Sequence, residues 1–454
     1  MRGHRGEHHA AWTAASEELL ERLRGRMSLI QPAEERFQFV ASALERLFKE
    51  SGGRYPALAT EELRHAFLDA FLRYDVIDEL LEDPTVEDVI INSTERIYVH
   101  RTGEGLVRTD KQFKSQQELT LFVTKLVVFG GRTDVDPITD VELFDIRGRV
   151  NIVSSPFGPQ ITITRAKTQP FTILQLIETG MLTYELGGQL WMYVEGLGVR
   201  AANLIISGGP GTGKTTLLNA LLSFIPRKDR VVTIEDTFEL NTAFLENCSR
   251  LESCRRVDLA DLVKNSLRMR PERILVGETR GIEARDLMTT MNLGKYCMST
   301  LHASSARETI LRLQNEPMNV PPVLINLIDA FIILRKLNTG NGVIRVVSEL
   351  VETAGLEKQV VLLSAIWAYD HHQERVVERS PSSTYRDRLA TESGRTPLQI
   401  MQETARRAKV LRLMQASERF TDISAVTEFC QLYAEAPEEA LHELETTAEE
   451  LDRR

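Results

Sequence analysis

The segment Gly208-Gly-Pro-Gly-Thr-Gly213-Lys214-Thr215-Thr216 constrains this chain more than any other, because it fits G-x-x-x-x-G-K-[ST] between two apolar segments. Asn203-Leu-Ile-Ile-Ser before it reads as a short buried strand, and Thr216-Leu-Leu-Asn-Ala-Leu-Leu after it as a helix. Glycines let backbone N–H groups turn inward, and the helix start adds its positive dipole. Such a loop cradles phosphates. Gly208, Gly209, Pro210, Gly211, Thr212, Gly213, Lys214, Thr215 and Thr216 are therefore assigned to ATP, with Lys214 reaching the β- and γ-phosphates and Thr215 holding Mg²⁺.

Three more apolar runs end in polar residues. Val231-Val-Thr-Ile ends in Glu235-Asp236, Arg273-Ile-Leu-Val-Gly in Glu278, and Cys297-Met-Ser-Thr-Leu in His302. Open α/β sheets bind ligands at the carboxyl ends of their strands, so these ends are expected to converge on the glycine loop. Asp236 is the candidate Mg²⁺ ligand with Thr215. Glu278 is the candidate to activate water with Glu235 assisting, and His302 the candidate γ-phosphate sensor. Each has a plainer reading when taken singly. Asp236 could cap a turn, Glu278 could pair with Arg280 at the surface, and His302 could be a hydrogen-bonded structural histidine.

Around this core the periodicity changes several times. Residues 1–75 read as a helical extension, with His4, His8 and His9 in a solvated leader. Residues 76–171 read as an α+β domain: a strand pair at Val86–Asn92 and Arg96–His100, a helix at Ser115–Val128, and strands at Arg149–Val153 and Gln160–Arg165. A helical linker over 172–200 precedes alternating strands and helices over 201–350, the signature of a parallel sheet. Residues 351–454 read as helical, with amphipathic helices at Pro397–Leu413 and Ile423–Leu444.

At 454 residues two or three domains are expected. A net charge of −10 argues against nucleic acid as the main partner. None of Cys248, Cys254, Cys297 and Cys430 forms C-x-x-C, so neither a zinc knuckle nor a redox motif is indicated, and a reducing cytosol is the simplest setting. The first residues, MRGHRGEHHAAW, lack the apolar centre of a secretory signal. The longest apolar stretch, Val323–Leu334, is too short to span a bilayer and contains Asp329. A cytoplasmic chain that meets a membrane only through a partner is the expectation.

The ordered set of motifs resembles the ATPases of type II and type IV secretion, pilus and archaellum assembly. The glycine loop looks like their Walker A box, Thr233-Ile-Glu-Asp-Thr-Phe-Glu-Leu like their Asp box, Leu267–Arg280 like their Walker B segment, and Ser299-Thr-Leu-His-Ala like their His box. The strands near 86–99 and 148–163 look like the family's N-terminal domain, and Arg312-Leu313 with Glu316–Pro321 looks most like archaeal members. The resemblance covers about residues 75–445.

That resemblance implies an α/β fold: an N-terminal α+β domain, a RecA-like P-loop ATPase core and a helical C-terminal tail. It also implies a homohexamer with ATP between the domains and at subunit boundaries, driving a polytopic membrane protein of a secretion or filament machine. Arginines of the N-terminal domain would reach the phosphates, Arg149 first, then Arg165 and Arg132. The family writes Arg directly after Ile-Thr-Ile, whereas here Thr164 intervenes. Gly294-Lys295 replaces the family's Gly-His at the start of the His box, which raises a different nucleotide cycle or a non-hydrolysing scaffold as alternatives. A P-loop DNA translocase would need basic DNA-facing loops, and a small-molecule kinase an acceptor pocket with an arginine-bearing lid.

Overall fold

The computed structural model describes residues 2–27, 33–101, 104–143, 146, 148–165, 170–254, 256–339, 342–417 and 419–452. The chain divides into two units, Met1–Thr168 and Gln169–Arg454.

In the first unit, helices α1 (Arg2–Leu23), α2 (Ala33–Ser51), α3 (Glu61–Leu72) and α4 (Asp78–Glu82) precede strands β1 (Val86–Ser93), β2 (Arg96–Arg101) and β3 (Gly105–Arg108). Helix α5 (Gln116–Phe129) leads into β4 (Ile138–Leu143), β5 (Gly148–Ser155) and β6 (Gly158–Arg165). The strands form one antiparallel sheet in the order β3-β2-β1-β6-β5-β4. Alternating residues such as Val89 and Ile91 bury one sheet face, as a period of two requires. The helices expected to be a mere extension share this core: Leu19, Leu44, Phe67 and Phe71 pack in one cluster with Val89, Phe122, Ile152 and Ile163. The leader carrying His4, His8 and His9 lies within α1.

The second unit opens with α6 (Ile173–Glu178) and α7 (Tyr184–Glu195), then β7 (Leu204–Gly208), α8 (Lys214–Leu221), β8 (Val231–Glu235) and β9 (Cys248–Glu252). Next come α9 (Leu259–Ser266), β10 (Arg273–Val276), α10 (Glu283–Asn292), β11 (Tyr296–Leu301), α11 (Ala306–Gln314) and α12 (Pro322–Ile325). Strands β12 (Ala330–Thr339), β13 (Gly342–Glu357), β14 (Val360–Asp370) and β15 (Arg375–Glu378) complete the sheet, and α13 (Thr384–Ser393), α14 (Pro397–Ala416), α15 (Ile423–Glu435) and α16 (Pro437–Asp452) end the chain. The sheet runs β15-β14-β13-β12-β7-β11-β10-β8-β9. From β12 to β9 the pairings are parallel, and apolar clusters of helices against strands form two separate cores. Both faces of the sheet are thus covered, which is why its strands read as unbroken apolar runs.

Several expectations change here. Residues 351–378, expected to be helical, are strand: β13 pairs along β12 and folds back through β14 and β15. Runs such as Val360-Val-Leu-Leu carry no decisive period, and pairing to an existing edge decides them. The segment read as a linker is core, with Trp191 stacked on Phe224 at 5.1 Å and packed on Tyr433. Helix α14 lies against α7 so closely that a Cβ on Gly188 would sit 2.8 Å from the Ala408 nitrogen. The helix expected over Ile423–Leu444 breaks before Pro437, which cannot donate a helical hydrogen bond. Val323–Leu334 is split between α12 and β12, with Asp329 between them accepting the Asn203 N–H. Among the described residues no helix is long and apolar enough to cross a membrane.

Candidate nucleotide site

Because β7, β11, β10 and β8 are successive neighbours, the glycine loop after β7, His302 after β11, Glu278 after β10 and Glu235 closing β8 emerge side by side at one sheet edge. The loop turns tightly. Gly213 has φ +96°, a conformation that side-chain-bearing residues rarely adopt, and a Cβ on Gly208 would lie 2.5 Å from Thr212 Oγ1. Helix α8 then begins at Lys214, and the first N–H groups of a helix have no intrahelical partner.

Lys214 Nζ donates to the carbonyl oxygens of Gly208 and Gly209 at 3.1 Å and meets His302 Nδ1 at 3.3 Å. His302 Nε2 lies 3.1 Å from Glu278 Oε1. An ammonium offers only protons, so Nδ1 accepts in the Lys214 contact, while Nε2 stands at ion-pair distance from Glu278. Burial, then the Lys214 charge, holds the His302 pKa below its usual value against the pull of Glu278, which favours this neutral imidazole. Burial also lowers the Lys214 pKa, opposed by the carboxylates of Glu278 and Glu239.

Backbone cross-links fix this chain of groups. The Thr300 hydroxyl donates to Gly277 O at 2.7 Å, and Thr279 N–H donates to Thr300 O at 2.8 Å, so Glu278 and His302 are clamped from both strands. Arg312 of α11 donates to the His302 carbonyl. Lys295 stands before the amino end of β11, whereas His302 follows its carboxyl end. Seven residues of extended chain at about 3.3 Å each put the unusual residue about 20 Å from the site.

Glu235 faces inward. Its Oε1 accepts the N–H groups of Glu239 and Leu240, both at 2.9 Å, while Oε2 is buried with no partner among the described residues. Burial lifts its pKa from 4.5 to about 7. Its first geometric role is to shape the loop after β8.

Asp236 is occupied away from Thr215. It accepts the Ser253 hydroxyl at 2.6 Å and pairs with Arg280. The carboxylate that meets Thr215 is Glu239, whose Oε2 accepts the Thr215 hydroxyl at 3.1 Å. Among the described residues no group of three or more His, Cys, Asp or Glu is arranged to hold a metal. A hydroxyl beside one carboxylate nevertheless fits Mg²⁺, which takes few protein oxygens and completes its shell with water and substrate phosphate. Glu239 lies within the Asp-box segment, and four-residue spacing from Glu235 across a strand end was the available signal.

The arginines of the first unit differ from one another. Arg165 is committed locally, Nη1 donating to the carbonyls of Asp83 at 2.6 Å and Val86 at 3.2 Å. That anchorage leaves it a brace between β6 and the entry to β1 rather than a free phosphate ligand. Arg149 is exposed on β5, 3.6 Å from Asp140. Arg132 is exposed after α5.

A family model described as Type II/IV secretion system protein matches residues 138–449. An uncharacterized protein of Methanocaldococcus jannaschii is 30% identical over 382 residues, which is 80% of this chain and 68% of that protein. Conjugal transfer protein TrbB of Rhizobium radiobacter is 30% identical over 240 residues, 52% of this chain and 73% of TrbB. Among solved structures, the Legionella pneumophila ATPase DotB is similar at 21% identity, covering 78% of this chain and 91% of that one, with a TM-score of 0.46. Since the matched span takes in well over half of its residues, the chain belongs to the Type II/IV secretion system protein family.

Proposed function

We propose that the chain is a cytoplasmic ATPase that couples ATP binding and hydrolysis to assembly or export by a type II/type IV secretion, pilus or archaellum-like machine. The observation that carries this reading is the contact series Lys214–His302–Glu278, at 3.3 and 3.1 Å, at the carboxyl ends of adjacent parallel strands. It joins a phosphate-binding lysine to a carboxylate able to take a proton from water, through a histidine whose protonation responds to both.

In this mechanism the N–H groups at the start of α8 and the Lys214 ammonium hold the phosphates. Thr215 and Glu239 are the residues that would hold Mg²⁺, which neutralises charge developing on the phosphates. Glu278 orients and deprotonates the attacking water, and His302 reports the γ-phosphate to Glu278 by exchanging one hydrogen-bond partner for another. Asp236 is left with Arg280, outside the metal set. The working form is a homohexamer, peripheral at the cytoplasmic membrane through a polytopic membrane protein of the machine.

The test compares wild type with Lys214→Ala and Glu278→Gln. Lys214→Ala is expected to lose ATP binding. Glu278→Gln is expected to retain binding and lose at least about 100-fold in turnover, the scale of a removed general base. Equal turnover in all three proteins would sink the proposal. Affinity purification from native membranes, with identification of the bound membrane subunits, tests the partner.

A further inference from the structure

Two carbonyls of the glycine loop are held from within the loop: Lys214 takes Gly208 and Gly209, and the Thr212 hydroxyl also donates to Gly209 at 2.9 Å. Gly211 is held from outside the loop. Its carbonyl accepts Nε–H of Arg345 at 2.8 Å, from a residue 134 positions away on β13. A short bridge steadies the arm that makes this contact. Two residues on, Val347 N–H donates to Met181 O at 2.9 Å. A Cβ on Gly213 would meet Met181 Cε at 3.0 Å and Arg345 Cδ at 3.7 Å. Gly213, Met181 and the stem of Arg345 therefore share one slot.

Gly211 O and Thr212 N–H belong to one peptide plane. In a trans peptide those two groups point in opposite directions. A donor that holds the carbonyl toward β13 thus aims the Thr212 amide away from β13, toward the concavity opened by the N–H groups of Gly213, Lys214 and Thr215. In a G-x-x-x-x-G-K-[ST] loop those amides cradle the α- and β-phosphates. Gly211, with φ +66°, has no side chain to fix its peptide, so an external donor is what selects its orientation.

We infer that Arg345 is a positioning residue for nucleotide binding, which pre-orients the Thr212 amide toward the nucleotide's phosphates by holding the Gly211 carbonyl. This rests on the ATPase reading above and extends it to the antiparallel part of the sheet. The role resides in Nε–H and not in the guanidinium charge. Glutamine makes a discriminating substitution, because its Nε2 stands at the same bond depth along the side chain as Nε of arginine. Methionine keeps similar bulk and has no donor.

The experiment measures Kd for Mg-ADP, the KM and kcat for ATP, and the melting temperature without nucleotide, using the full chain as wild type, Arg345→Gln and Arg345→Met. Arg345→Met is expected to raise Kd and KM about tenfold, the worth of one well-aimed amide to an anion, with kcat within about twofold, since ATP and ADP share the affected phosphates. Arg345→Gln is expected to stay within about twofold of wild type. An unchanged Kd in Arg345→Met overturns the inference. So does Arg345→Gln binding as weakly as Arg345→Met, which would mean that charge is what matters. A shifted melting temperature with unchanged Kd would make the contact structural only, and also overturns it. Failure of wild type itself to bind Mg-ADP, or Lys214→Ala binding as well as wild type, would instead bring down the ATPase reading.

Discussion

Replacing Glu235 by glutamine should make the protein more stable at neutral pH, by an amount that its surroundings set. The side chain is 2% exposed, and burial is the largest influence on its pKa, which rises from 4.5 to about 7 although the N–H groups of Glu239 and Leu240 and the Arg250 charge pull the other way. The folded pKa thus lies above the unfolded one. Between about pH 4.5 and pH 7 the folded chain keeps a proton that the unfolded chain releases, so the group's contribution to stability falls as pH rises through that window and stays lost above it. Moving a pKa from 4.5 to about 7 corresponds to about 3 kcal/mol, at about 1.4 kcal/mol per pH unit. Glutamine is neutral throughout and keeps an oxygen to accept the two N–H groups. The variant should therefore match wild type near pH 4.5 and exceed it by about 3 kcal/mol at pH 8, or several degrees in melting temperature for a unit of this size. Melts of both proteins across that range, followed by tryptophan fluorescence, measure the difference directly. Parallel pH profiles for variant and wild type would refute the reasoning.

Three other outcomes follow from contacts in the second unit. Glu239→Gln should raise the Mg²⁺ concentration for half-maximal ATP turnover about fivefold, because a neutral amide replaces the carboxylate bonded to Thr215; an unmoved Mg²⁺ midpoint would exclude Glu239 from the proposed metal set. Arg407→Ala should cost about 3–5 kcal/mol, since Arg407 Nη1 and Nη2 hold buried Glu195 at 2.5 and 3.0 Å and its loss strands that carboxylate. Urea unfolding measures the loss, and replacing both residues by apolar ones should recover most of it. Gly188→Ala should cost about 1–3 kcal/mol through a forced separation of α7 and α14, and a neutral effect on the urea midpoint would show that the helices yield freely.

Much of the candidate site was legible in the chain, and the reason is local. A glycine loop between a strand and a helix needs only neighbours in sequence to form, so Gly208–Thr216 could be assigned from spacing. Polar residues closing apolar strands could be placed at one sheet edge because parallel sheets put equivalent ends together, which brought Glu235, Glu278 and His302 into one reading. Asp236 and Arg165 show the limit. Their residue types suited metal and phosphate, but Ser253, Arg280 and the carbonyls of Asp83 and Val86 compete for them, and those partners are distant in sequence.

The sequence by itself determined the glycine loop, the parallel core and the acids and histidine at its edge, because each depends on periodicity or on a few adjacent residues. Tertiary structure alone decided the rest. Successive pairing outward from the β12 edge made β13, β14 and β15 a strand extension, the loop after β8 carried Glu239 to Thr215, and β13 delivered Arg345 to Gly211. Each of these depends on which backbone finds which partner across the fold. The glycine loop is therefore legible from its own residues, while Arg345, which meets the Gly211 carbonyl, and Glu239, which meets Thr215, come from a strand and a loop farther along the chain.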